Sequence, residues 1–276
     1  MHNEPKPTFV MCVGAQKAGT SWLFKQIEKN PSVNLGFKKE YHVWDYVYRH
    51  TDAWRAQLDE NDSSFRAARL AKMRETPGSY EEYFKELISE KIRFTGDFTP
   101  AYCTLSGPQF EQIRRKLEHA GFAVKVVFLM RDPAERSWSA LKMLKRNKNI
   151  FPKISSTEDL LPKFEKFFKR KQVKDRNRYD LTVTALYQSF DPENLFFGLY
   201  ENMFNECFIT RLSKFLDIDL SNTDFGERVN AHDTIQLPAL YYDQCRTYYA
   251  NVYAFCAQTF PETTALWVAP QEADLA

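Results

Sequence analysis

Short, continuously apolar runs alternate along this chain with longer stretches of helical period. Residues 8–14, TFVMCVG, are apolar almost throughout, as expected of a strand buried on both faces of a parallel sheet. A glycine-bearing turn follows, and TSWLFKQIEKNP then places Trp22, Leu23, Gln26 and Ile27 at helical spacing until Pro31. SVNLGFKKEYHVWD reads as a short strand and a polar, aromatic turn. Residues 51–90 are expected to be helical, broken in two at Pro77-Gly78. KIRFTGDFTPAY is strand-like up to Gly96, then a loop stopped by Pro100. GPQFEQIRRKLEHAG has the pattern of an amphipathic helix closed by Gly121, and FAVKVVFLM (122–130) is a second strongly apolar strand. RDPAERSWSALKMLKRNK follows as a helix, with Asp132 as N-cap, Pro133 at the first helical position and Glu135 completing a capping-box-like pair. A basic helical stretch (157–190), a third apolar strand, NLFFGLY (194–200), and a helix, CFITRLSKFLDI, come next. SNTDFGERVNAHDTIQ is an irregular loop and PALYYDQCRTYYANVYAFCAQTF a single long aromatic helix.

Strands alternating with helices predict an α/β fold whose central, mainly parallel sheet is flanked by helices in three layers. There is no internal repeat and no clear linker, so residues 1–276 are expected to form one domain. A hydrophobic content of 43%, with 15% aromatics, is ample for a sizeable core. A mean hydropathy of −0.52 and the lack of any apolar run of bilayer length argue against a membrane-spanning protein. The start, MHNEPKPTF, has no apolar h-region, so the expectation is a cytoplasmic protein or a luminal domain cut free of its anchor.

The net charge of +2 is bland, yet from Lys142 to Arg178 basic residues outnumber acidic ones roughly threefold. The five cysteines are scattered, odd in number and without a C-x-x-C pair, which reads as reduced, mostly buried thiols. The five histidines show no ligand spacing, so no protein-bound metal is expected. Asn61-Asp62-Ser63 fits a glycosylation sequon, a triplet that arises often by chance.

Chemistry enters with the turn after the first strand. GAQKAGTS has the two-glycine frame of a nucleotide-binding P-loop in the strand–loop–helix context that such a loop needs. A Walker A loop puts lysine directly after the second glycine; here Thr20 stands there and the lysine is Lys17, inside the loop. Backbone N–H groups of Gln16, Lys17, Ala18 and Gly19, backed by a helix N-terminus, can cradle an anion. Thr20 and Ser21 add hydroxyls, with Trp22 next in line. A tight turn with a solvated lysine is the alternative. The second strong strand ends in Arg131, where a P-loop NTPase would carry an acid for Mg²⁺. A cation there suits a second phosphate, and Ser139 lies two helical turns further on.

Together these segments resemble the sulfotransferases that use 3′-phosphoadenosine 5′-phosphosulfate (PAPS). VGAQKAGTSWL looks like their 5′-phosphosulfate loop, and VVFLMRDPAERSWSAL like their 3′-phosphate segment, with Arg131 ending a strand and Ser139 eight residues later. KKEYHVWD (38–45) is similar to the K-E-x-H-F-F stretch of the heparan-sulfate type, while GDFTPAY (96–102) and LYENM (199–203) sit where that family has comparable segments. The resemblance spans about residues 8–205 at motif level and implies a P-loop-like fold. It implies that Lys17 stabilises the leaving phosphate and that Glu40 is the general base. His42 is the rival base, since a histidine does this work in the cytosolic branch. In an extended segment residues 40 and 42 would point the same way. PAPS is then the co-substrate and 3′-phosphoadenosine 5′-phosphate (PAP) the product, and no metal is required.

Two departures stand out. Phe98 takes the place of a lysine frequent in heparan-type enzymes, leaving Asp97 as a substrate contact or a loop cap. No K-G-R-like signature occurs near the C-terminus, so GERVNAHD supplies the only candidates for a late 3′-phosphate contact, Arg228 or Asn230. The basic stretch 163–179, with Phe164, Phe167 and Phe168 at helical spacing, is either an ordinary amphipathic segment or a rim for an anionic acceptor. The expected partner is a small-molecule or carbohydrate acceptor, with no nucleic-acid module in sight. A nucleotide or small-molecule kinase and a non-catalytic nucleotide-binding scaffold are the competing functions.

Overall fold

The computed structural model describes residues 5–49, 65–145, 156–227 and 235–269. The predicted apolar runs become strands. β1 (Thr8–Gly14), β2 (Phe94–Asp97), β3 (Ala123–Met130) and β4 (Leu195–Leu199) form one sheet in the order β2-β1-β3-β4, parallel at every pairing. β1 and β3 lie in the middle, and Phe9 to Gly14 and Val126 to Met130 are buried without exception. Their uninterrupted apolar runs are explained by burial on both faces, at about 1.5–3 kcal/mol for each large apolar side chain.

Helices flank this sheet: α1 (Thr20–Glu28), α2 (Trp44–Arg49), α3 (Phe65–Glu75), α4 (Ser79–Glu86), α5 (Gly107–His119) and α6 (Pro133–Lys145). α7 (Leu161–Phe168), α8 (Lys171–Asn177) and α9 (Tyr179–Ser189) resolve the basic stretch, and α10 (Glu206–Leu216) follows β4. Phe164, Phe167 and Phe168 are buried while Lys163, Lys166 and Lys169 are exposed, so α7 is an ordinary amphipathic helix.

Three expectations need correction. The long aromatic helix is two, α11 (Ala239–Tyr248) and α12 (Ala250–Thr259). At the break Tyr249 is drawn into the core, its hydroxyl donating to the Phe168 carbonyl at 2.5 Å. Pro100 does not stop a loop but opens a 3₁₀ turn, Pro100–Thr104, for which its fixed φ is suited. The segment 39–43 is irregular rather than extended, and His42 has φ 53°. The division at Pro77-Gly78 is as expected, with α3 on one side and α4 on the other; residues 50–64, including the sequon triplet, lie outside the described residues. All five cysteines are free, four of them buried and Cys207 exposed. Among the described residues no helix is long and apolar enough to cross a membrane.

The chain leaves β1 for β2 on one side and β3 for β4 on the other, so the topological switch lies between the carboxyl ends of β1 and β3. Open parallel sheets bind ligands in the crevice at such a point. The turn that leaves β1 bonds to the end of β3 there, Ala15 N–H donating to the Leu129 carbonyl at 2.5 Å.

Candidate active site

The loop from Gly14 to Gly19 carries β1 into α1. Gly19 is the N-cap, in the left-handed region at φ 88°, and no side chain caps the helix. A Cβ at this position would run into the Met203 sulfur, so both conformation and contact demand glycine. Lys17 is left-handed too, at φ 72°. The helix ladder begins with Leu23 N–H donating to the Gly19 carbonyl at 3.0 Å. The first-turn N–H groups therefore have neither an intrahelical acceptor nor a side-chain cap, and the positive end of the helix dipole is open to an anion. Gln16, Lys17 and Ser21 are half-buried on this loop, while Ala18 and Thr20 are buried.

On the neighbouring strand tip, Arg131 faces the same loop. Its Nη1 donates to the Lys17 carbonyl at 3.5 Å, its Nη2 to Glu135 at 3.1 Å, and its guanidinium lies 4.4 Å from the centre of the Tyr200 ring. Tyr200 thus gives LYENM a function in holding the arginine. Asp132 caps α6 as expected, accepting from Ala134 N–H at 2.8 Å and Glu135 N–H at 3.2 Å. The capping box is not completed, because the Glu135 side chain turns to Arg131. Glu201 Oε1 takes its place and accepts from Asp132 N–H at 3.0 Å. Ser139 lies half-buried on α6, two turns beyond.

The third component is the segment from Lys39 to Asp45. Lys39 Nζ donates to Glu40 Oε1 at 2.6 Å and to Thr20 Oγ1 at 3.3 Å, so one amino group touches both the loop helix and the carboxylate. Glu40 Oε2 lies 3.3 Å from His42 Nε2, and His42 Nδ1 lies 2.9 Å from Asp45 Oδ2. An imidazole between two carboxylates favours its doubly protonated form. Burial opposes the charge, but the bonds to Asp45 and Glu40 override it and push the His42 pKa up to about 9. Burial likewise acts to raise Glu40, and the bonds to His42 and Lys39 reverse that and bring it down to about 2.

A buried scaffold holds this segment in its unusual conformation. Asp97, at the end of β2, accepts from Thr99 at 2.6 Å, Tyr102 at 2.8 Å and Tyr80 at 3.0 Å. Thr99 Oγ1 in turn accepts from His42 N–H at 3.3 Å, and the Tyr102 hydroxyl from Val43 N–H at 3.1 Å. Arg74 on α3 donates to the Tyr41 and His42 carbonyls, each at 3.1 Å. Asp97 is wholly buried, so it is neither a substrate contact nor a loop cap but the carboxylate beneath the site. Burial pushes its pKa up to about 6 despite the three bonds. Phe98, also fully buried, packs edge-on against Phe24.

Comparison with solved structures identifies the fold. Over 98% of both chains the structure superposes on the sulfotransferase from Alicyclobacillus acidocaldarius with a TM-score of 0.61 at 16% identity. The fold is the sulfotransferase fold. A sulfotransferase domain from the curacin biosynthetic pathway matches over 90% of this chain and 97% of that one, with a TM-score of 0.50 and 15% identity. In sequence the chain is 26% identical over 149 residues to the membrane-associated sulfotransferase kil1 of Dictyostelium discoideum. That match covers 52% of this chain and 25% of the relative. The chain therefore matches about a quarter of that protein's length. No family model matches. Relatives in sequence and in fold are thus sulfotransferases, in line with the resemblance carried by the motifs.

Of the expected residues, Gln16 to Ser21 lie on the loop and first turn after β1, and Arg131 bonds to that loop from the tip of β3. Glu40 and His42 are linked to it through Lys39, which donates to both Glu40 and Thr20. Trp22 does not open onto the crevice between β1 and β3: the side chain is 3% exposed, its ring packs against Phe204 and Phe225, and Nε1 donates to the Asp224 carbonyl. Arg228 and Asn230 lie outside the described residues; the preceding Glu227 is tied to α1 through Lys25, Gln26 and Lys29. Sequence reading missed Asp45, Arg74 and Arg176. Asp45 follows His42 at i+3 and is legible in hindsight. Arg176 shares an inward helical face with buried Val173 and Asn177, at i, i+3 and i+4.

Proposed function

We propose that the chain is a PAPS-dependent sulfotransferase acting on a hydroxyl, or an amine, of a carbohydrate or small metabolite. Support comes from an uncapped helix N-terminus in left-handed glycine geometry, cations on both adjoining turns, and a carboxylate joined to that loop by a shared lysine. The observation that carries it is Lys39, which touches Thr20 on the donor side and Glu40 on the acceptor side.

The residues present fit the cofactor. The first turn of α1, with Thr20 and Ser21, would hold the 5′-phosphosulfate, and Arg131 and Ser139 the 3′-phosphate. When bound, PAPS supplies the sulfuryl group: its bond from sulfur to the 5′-phosphate oxygen breaks as the acceptor oxygen bonds to sulfur, the acceptor proton passes to Glu40, and negative charge remains on the phosphate. Lys17 neutralises that charge. His42, held as an imidazolium, cannot take the proton; it orients Glu40. A carboxylate with a pKa near 2 is a weak base, and its basicity rises when Lys39 leaves it for an incoming anion.

A kinase would need a carboxylate for Mg²⁺ at the tip of β3. Asp132 stands there, but its oxygens are taken by two backbone amides and by Tyr242 and Tyr253. Five unpaired cysteines suit a reducing compartment, which favours the cytoplasm. The test is transfer of labelled sulfate from PAPS to a panel of acceptors in the presence of EDTA. The expected outcome is transfer that persists in EDTA and is abolished by Glu40→Gln. Phosphate transfer from ATP that requires magnesium would replace this reading with the kinase.

A further inference from the structure

One cation at the site forms no ion pair with a described residue. Arg176 on α8 is partly buried, and its Nη1 donates to Gln16 Oε1, in the loop itself, at 2.7 Å. Among the described residues it forms no ion pair, whereas Lys39, Arg131 and Arg178 are each matched by an acid. A second guanidinium fixes its position. Arg136, wholly buried on α6, donates to Asn177 Oδ1 and, at 3.2 Å, to the Val173 carbonyl. Asn177 in turn donates to Ser137 Oγ at 2.9 Å. These bonds bracket Arg176 and hold the α8 face that points at Gln16.

Arg136 also has only neutral acceptors among the described residues, so two neighbouring positive charges stand without an ion-pair partner there. Burial, first of all, and then Arg136 act to lower the Arg176 pKa, while Cys103, Asp45 and Glu40 act to raise it. Burying a cation without a counter-ion is unfavourable. The chain had other choices, since Lys171 and Lys174 on the same helix are exposed. A guanidinium with an unmatched charge, facing a loop built for anions, fits a tetrahedral oxyanion through its remaining donors.

We propose that Arg176 binds the sulfonate being transferred; this rests on the PAPS-dependent reading above. Arg176 is bonded to Gln16, which adjoins Lys17, and it feels the charge of Glu40, so the guanidinium neighbours the loop that carries the leaving-group lysine. The sulfonate is the anionic group that must pass between that lysine and the base. Arg176 thereby favours PAPS over PAP, which lacks the sulfonate.

Titration calorimetry of PAPS and of PAP, in the cold and without acceptor, tests this on the wild type and on Arg176→Gln and Arg176→Lys, with thermal melts as a check on folding. Arg176→Gln is expected to weaken PAPS by about tenfold to a hundredfold, the range of one charge-assisted hydrogen bond, and to leave PAP within about threefold. Arg176→Lys should recover part of the PAPS affinity. Equal losses for PAPS and PAP would overturn the assignment and make Arg176 a brace for Gln16. Unchanged binding of both, with the loss confined to the KM of an anionic acceptor, would overturn it in favour of an acceptor contact. A wild type that binds neither nucleotide would remove the donor reading itself, an outcome distinct from either.

Discussion

Two strand-to-helix junctions lie side by side at the carboxyl edge of the sheet, and they are finished in opposite ways. After β3 the chain supplies its own anion: Asp132 accepts from two amides at the start of α6 and from the buried hydroxyls of Tyr242 and Tyr253. After β1 the chain supplies none; Gly19 leaves the start of α1 bare, and Lys17, Lys39, Arg131 and Arg176 surround it. The same helix-terminal physics is satisfied internally at one junction and left for a ligand at the other. The first is a stability element and the second, on the proposed reading, a binding element.

Substitutions should separate the two. The largest effect is expected from Lys17→Ala, a loss of about 10²–10³ in kcat with a nearly unchanged melting temperature, because the lysine acts on charge that develops during transfer. Asp132→Ala should show the reverse: about 2–4 kcal/mol of stability lost in urea melts, from the missing cap and two orphaned hydroxyls, in protein that still binds PAP once folded. Arg131 stands on the capped junction but faces the bare one, so Arg131→Ala should weaken PAP by about tenfold or more and adenosine 5′-phosphate much less. Equal weakening of both would show that the arginine does not read the 3′-phosphate.

The smallest effect concerns pH. His42 is raised from 6.5 to about 9 in the folded chain, so its pairing with Asp45 and Glu40 contributes stability in full below pH 6.5. That contribution is lost as pH rises through about 9. Wild-type melting temperature should fall across this window, and the fall should be shallower in His42→Gln. An unchanged slope in the variant would mean that the histidine is not held as an imidazolium.

The two junctions also differ in how openly the sequence displays them. Asp132-Pro133 is legible because a cap is local chemistry, and the glycine loop is legible because strand, turn and helix are contiguous. The capping box failed where a tertiary partner intervened: Arg131 drew Glu135 away and Glu201, from beyond β4, filled the gap. Asp97 reads in the sequence as a substrate contact or a loop cap because nothing local reveals that Tyr80, Thr99 and Tyr102 close over it. Glu40 and His42 were recognised by their motif, but the positive φ that turns them toward each other depends on Arg74, more than thirty residues away. Arg176 was hidden in a run of lysines and arginines that mostly face solvent. Only the short face it shares with Val173 and Asn177 marks it as turned inward.

The bare junction is proposed to be a site for PAPS and not for a nucleoside triphosphate. The most direct test is calorimetric titration of the wild-type protein with PAP in EDTA and with ATP plus magnesium. Saturable PAP binding without a metal and no measurable heat from ATP are the expected result. ATP binding of comparable affinity that depends on magnesium would contradict it.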